Sequence, residues 1–213
     1  MTSWLVLQLA DSAFPTGGFT HSAGLEAIRA AGELAGVEPF CAELIDQVAH
    51  GALPLVAAAH DEPARLAELD ALARATLWSH VAARASRAQG RALLDVAARS
   101  VGPPALARAQ AATLDGHLAP VFGFVTRTLG VGRDDALATF LHLALRGALS
   151  AAVRLGCCGP NEAQAIHHRL HPVLEDALAA ARARSLADVA QTSPLIELVQ
   201  ATHDRLYSRL FQS

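Results

Sequence analysis

The stretch DDALATFLHLALRGALSAAVRL, Asp134–Leu155, reads as a helix on its own. Leu137, Phe140, Leu141, Ala144, Leu145, Ala148, Leu149, Ala152 and Val153 recur at i, i+3, i+4, i+7 and i+8, the period of an α-helix with one buried face. Asp134 and Asp135 fall in its first turn, where the helix dipole favours negative charge. Gly156 and Gly159-Pro160 end it and open the next helix, with Pro160 at a first-turn position where a missing N–H costs little. From there Ala163, Ile166, Leu170, Leu174, Ala177 and Leu178 continue a buried stripe as one helix.

Working outward, the same pattern recurs almost throughout. Ala and Leu make up 79 of the 213 residues, against 28 for Val, Ile and Thr together, a balance that favours helix over strand. Towards the N-terminus a short apolar segment, Trp4 to Leu9, stops at the Pro/Gly-punctuated loop Ser12–Phe19. Thr20 or Ser22 caps a helix to about Ala31. Glu38-Pro39 opens another to about His60, bent or broken near Gly51 and Pro54. Further helices run from Pro63 to Thr76, from Trp78 to Arg99, from the break Gly102-Pro103-Pro104 to Leu114, and from Pro120 to Leu129. No 30–45-residue repeat is present, so the pattern predicts an all-α, single-domain helical bundle of roughly eight to ten helices over residues 1–213.

All 17 basic residues are Arg. Without Lys, a Walker A loop, a pyridoxal Schiff base and a protein-kinase β3 position are excluded in their usual forms. A net charge of −3 argues against nucleic-acid binding. Cys41, Cys157 and Cys158 lack the spacing of a disulfide framework or zinc knuckle and read as small buried residues. Neither a signal peptide nor an uncharged span of about 20 apolar residues is evident, so a cytoplasmic chain without a membrane segment is expected. A hydrophobic content of 52% is high for a free monomer and predicts a partner or a second copy.

Candidate chemistry is sparse. His167 and His171 are four residues apart and share a helix face, beside His168, but no local third ligand accompanies them. A helical metal-dependent enzyme using that pair, or a helical ligand-binding regulator, therefore stands as an alternative to an interaction protein. The aromatics are more telling. Of ten, five lie near the ends: Trp4, Phe14, Phe19, Tyr207 and Phe211. The run His203–Phe211 mixes Arg, Tyr, Leu and Phe, residues that either dock a partner or pack as a last helix.

The stretch Asp11–Glu26, DSAFPTGGFTHSAGLE, resembles the N-terminal signature of the UreF family of urease accessory proteins, and His203–Ser213 resembles that family's C-terminal signature. Ser86–Leu94, Pro120–Gly123 and Ser150–Leu155 fall between them in the family's order; Gln212 departs from it, standing where an Arg is expected. The resemblance implies a non-enzymatic, all-helical scaffold without a cofactor or metal of its own. It would dimerise and bind a UreD/UreH-type accessory protein and the UreG GTPase, serving nickel delivery to apo-urease. The expected docking elements are segment 1–19 and segment 203–213. The expected partner-binding residues are Phe14, Pro15, Gly17, Gly18, Phe19, His21, Ser22, Glu26, His203, Arg205, Tyr207, Arg209, Leu210 and Phe211.

Two finer expectations follow from spacing. Gly17 and Gly18 allow positive φ or a close approach in the loop. In a helical tail, Tyr207 and Phe211 share one face with Leu210, and Arg205 and Arg209 a neighbouring one. Truncation after Ala201 is then expected to leave the bundle folded.

Overall fold

In the computed structural model, which describes residues 4–213, the stripe of Asp134–Leu155 lies on the longest helix, α9 (Arg133–Arg154). Eleven further α-helices are described: α1 (Trp4–Ala10), α2 (Leu25–Ala30), α3 (Val37–Gly51), α4 (Leu53–Asp61), α5 (Leu66–Thr76), α6 (His80–Ser100), α7 (Pro104–Ala111), α8 (Leu118–Thr128), α10 (Pro160–Arg169), α11 (His171–Ala183) and α12 (Pro194–Gln200). No strand occurs among the described residues. The chain is all-α, as the composition predicts.

α9 is long and apolar enough to cross a membrane, yet it is a core helix. Its stripe, with Leu137, Leu141, Leu145 and Ala152 almost wholly buried, is covered by α3, α4, α8, α10 and α11, while α1 and α2 lie against the same helix. α8 is held between α4 and α6, with α5 against it as well.

The α4–α8 approach is set by a missing side chain. A Cβ on Gly123 would lie 2.2 Å from the Val56 carbonyl oxygen and 3.0 Å from the Ala59 Cβ. The amides leading into α8, and its first one, are satisfied from two other helices. Buried Asp70 of α5 accepts from Gly116 N (3.0 Å) and His117 N (2.7 Å), and the Ser86 hydroxyl of α6 accepts from Leu118 N (3.0 Å). These buried amides thereby keep hydrogen-bond partners away from water. Gln47 of α3 does the same for α12, its Oε1 accepting from Thr192 N and Ser193 N.

The predicted break near Gly51 and Pro54 is present, at Ala52 between α3 and α4. The predicted single helix from Pro160 through Leu178 is corrected: it divides at Leu170, because Pro172 has no N–H to donate and its ring crowds the preceding turn. Trp78 lies outside α6, which begins only after Ser79, whose hydroxyl accepts from Ala82 N at 3.3 Å. α7 ends at Ala111, short of Leu114. The α2 N-cap is Gly24, in the left-handed region, rather than Thr20 or Ser22.

Gly123→Ala should lower stability by about 1–3 kcal/mol, because the methyl meets backbone that cannot yield without separating α4 from α8. For a domain of this size that is a drop of roughly 3–10 °C in Tm by circular dichroism. Gly147→Ala is the opposite case. Nothing lies within 4 Å of its Cβ position, so removing a helix-weakening glycine should leave Tm unchanged or raise it.

Candidate interaction site at the joined chain ends

The sequence marks two distant segments, and the structure brings them together. The loop of residues 11–24 and the tail of residues 203–213 meet over the C-terminal end of α9. Backbone bonds join them directly: Gln212 N donates to Thr20 O (2.8 Å) and Ser22 N to Ser213 O (2.8 Å). The Ser22 hydroxyl donates to the same Ser213 oxygen at 2.7 Å, and His21 Nδ1 lies 2.8 Å from the Ser213 hydroxyl.

At the centre is Glu26, on the first turn of α2 and 7% exposed. Its Oε1 accepts from Leu210 N at 2.6 Å, and its Oε2 from Phe211 N at 3.1 Å and from His203 Nε2 at 2.8 Å. His203 is fully buried, on a short 3-10 turn that follows α12. Burial, then the nearby charge of Arg84, then His203, push the His21 imidazole below its ordinary pKa, which favours its neutral form beside Ser213.

Two arginines extend the joint. Arg154, the last residue of α9, places its guanidinium 4.3 Å above the Phe211 ring and donates to the Phe19 carbonyl. Arg84 of α6 grips Asp204 with two bonds, of 2.9 and 2.7 Å, and reaches Gln212 O at 3.3 Å. The Arg84 guanidinium, with His80 adding, holds the Asp204 carboxyl down at about 2.

The expected helical tail is therefore corrected. The amides of Leu210, Phe211 and Gln212 bond to Glu26 and Thr20 instead of to carbonyls four residues back, so the tail runs as a non-helical strap. Tyr207 and Phe211 do not share a helix face. Phe211 is 5% exposed and belongs to the core, whereas Tyr207 is fully exposed. Residues after Ala201 thus contribute core packing, against the expectation that the bundle is independent of them.

The remaining expected residues separate in the same way. Ser22 is buried; Phe14 is half-buried and packs on the core; His21, Gly17 and Gly18 are intermediate. Gly17 takes a positive φ of 74°, as expected, but Gly18 does not. Pro15, Phe19, Arg205, Arg209 and Leu210 are exposed, Arg209 pairing with Asp204 at 3.2 Å. Of segment 1–19, residues 1–3 lie outside the described residues. Sequence reading assigned no role to Arg84, Arg154 and Asp204, whose roles arise only from long-range contact.

Beside the joint lies a mainly apolar cavity of about 300 Å³, reached by Leu9, Phe14, His21, Phe140, Gln47 and Glu197. Burial raises the Glu197 pKa, partly opposed by the Trp78 indole. Trp78, Leu195 and Leu198 are exposed nearby. The His167–His171 pair is present, 3.3 Å apart, but no group of three or more His, Cys, Asp or Glu is arranged to hold a metal ion among the described residues. The three cysteines are free thiols, and burial pushes Cys41 up to about 12.

Glu26→Ala should orphan the buried His203 and two tail amides together, costing roughly 3 kcal/mol or more. Hydrogen exchange at Leu210 and Phe211 should rise toward free-chain rates, while amides in α8 and α9 keep their ranking among the slowest. Unchanged protection of the two tail amides would mean that something other than Glu26 holds the strap.

The chain is similar in sequence to known proteins along nearly its whole length. The sequence model of the UreF family matches residues 34–171. The chain is 38% identical to urease accessory protein F of Arabidopsis thaliana, over 99% of this chain and 92% of the relative. It is 34% identical to urease accessory protein UreF of Kocuria rhizophila, over 98% and 95%, and 32% identical to urease accessory protein F of Oryza sativa subsp. indica, over 98% and 84%.

Proposed function

The chain belongs to the UreF family of urease accessory proteins, and on that premise we propose that it is a non-catalytic scaffold in urease maturation. In this reading it works in the cytoplasm as a homodimer, apart from membranes and nucleic acid, and has no cofactor of its own. It binds a UreD/UreH-type accessory protein through the strap and the loop beneath it. With the UreG GTPase it then forms a complex that supports delivery of nickel, the cargo, to apo-urease.

The observation that carries this reading is the division of labour along the strap. Glu26, His203 and Phe211 spend their interactions inward, on the fold. Tyr207 and Leu210 face outward with Arg205 and Arg209 beside them, and Phe19 is exposed on the adjoining loop. A fixed backbone presenting an exposed aromatic, an aliphatic and guanidinium groups has the composition of an interface hot spot, and little ordering entropy is left to lose on docking. The complete lack of Lys is consistent with leaving nucleotide hydrolysis to a partner that has a P-loop.

Tyr207→Ala combined with Leu210→Ala should leave Tm within about 1 °C, since neither side chain is in the core. Affinity for the UreD/UreH-type partner should fall roughly 30-fold, or about 2 kcal/mol, by calorimetry or biolayer interferometry. Full affinity in this double variant would remove the strap from the interface. A monomeric mass by light scattering at micromolar concentration would remove the homodimer from the proposal.

A further inference from the structure

Away from the chain ends, four imidazoles gather where α9, α10 and α11 meet. His167 Nδ1 lies 3.3 Å from His171 Nε2. The ring of His142, on α9, stands edge-on to His167 with centroids 5.5 Å apart, and His168 stands edge-on to His171 at 5.0 Å. His167 is half-buried and its Nε2 is buried without a hydrogen-bond partner, whereas His171 is open to solvent. Nothing in the scaffold reading uses this cluster.

Two ring nitrogens facing each other can share a proton in an N–H···N bond, or both can give a lone pair to one cation. Zinc–imidazole bonds of about 2.1 Å at the tetrahedral angle put the two nitrogens about 3.4 Å apart. The observed 3.3 Å is close to that separation. Imidazole nitrogen suits borderline divalent ions such as Zn²⁺, Co²⁺ and Ni²⁺, while Mg²⁺ and Ca²⁺ select oxygen.

We propose that His167 Nδ1 and His171 Nε2 form a two-imidazole site for a borderline divalent transition-metal cation, with water completing its coordination. The protein supplies two ligands because no three-residue set is in place among the described residues. The site is prearranged by the break at Leu170. There α10 ends and the proline-opened α11 begins, so the two ligands come from different helices whose junction is fixed by packing on α9 and α3. The His142 ring stands against His167 and limits the ways its ring can turn. Both restraints reduce the freedom lost when a cation binds. The site stands independently of the urease reading.

The test uses the untagged full chain, titrated with Zn²⁺ by calorimetry in a non-chelating buffer and with Co²⁺ by visible absorption. One cation per chain is expected. His167→Ala and His171→Ala should each weaken binding by about tenfold or more, and His168→Ala should change it less than about twofold. His171 is exposed, so His171→Ala should keep the wild-type Tm and separates loss of a ligand from loss of fold. Wild-type affinity in His171→Ala would overturn the proposal and leave the pair as an ordinary hydrogen bond. Equal weakening by His168→Ala would overturn the assignment of the ligands.

Discussion

Glu26 is a carboxylate in a place where water cannot solvate it, and the geometry of both chain ends follows from how it is satisfied. Three donors converge on its two oxygens, two of them backbone amides of the strap and the third His203 Nε2. Charge-assisted bonds of this kind are stronger than neutral ones, and an unpaired carboxylate in the same position would be far too costly to keep. The amides are thereby diverted from helix formation, Phe211 is turned inward, and Tyr207 is left outside. Packing specifies the core helices; Glu26, with Thr20, Ser22, Arg84 and Arg154 around it, specifies what the surface presents.

Much of the fold was legible in the sequence, because helical periodicity is a local property. The stripe of α9 and the break between α3 and α4 follow from residues within two turns of each other. The division at Leu170 was missed because the apolar stripe runs across it in phase, and the stripe outweighed Pro172. The site was legible only as composition. Aromatic and Arg-rich ends marked Phe19, Tyr207 and Leu210, but nothing near Leu210 announces that its amide bonds to a carboxylate 184 residues away. Local propensity therefore gave a helix where a distant acceptor enforces a strap. Gly17 was readable for a contrasting reason, since a positive φ is a constraint one residue answers by itself.

The Arg-only composition also has a structural sense. Arg91, Arg146, Arg154 and Arg184 each donate to a backbone carbonyl of a segment distant in sequence: Asp115, Ala10, Phe19 and Ala49. Arg84 reaches both a carboxylate and the Gln212 carbonyl. A planar fork with several fixed donors can serve two acceptors at once, as Arg84 does, where an ammonium would act as one compact charge. These guanidiniums tie helix ends and loops to segments far away in sequence.

The bond between Ser22 and Ser213 spans 191 residues. Contacts of that span form late, since loop closure has to precede any gain from them. During synthesis, the early helices are made long before the strap exists, and until it arrives Glu26 and the hollow for Phe211 stand open. The outward Tyr207 and Leu210 take their positions only when residues 203–213 close over residues 11–26. The surface proposed for recognition is thus absent until those two segments have joined. A partner that reads it meets only chains in which that joint has closed.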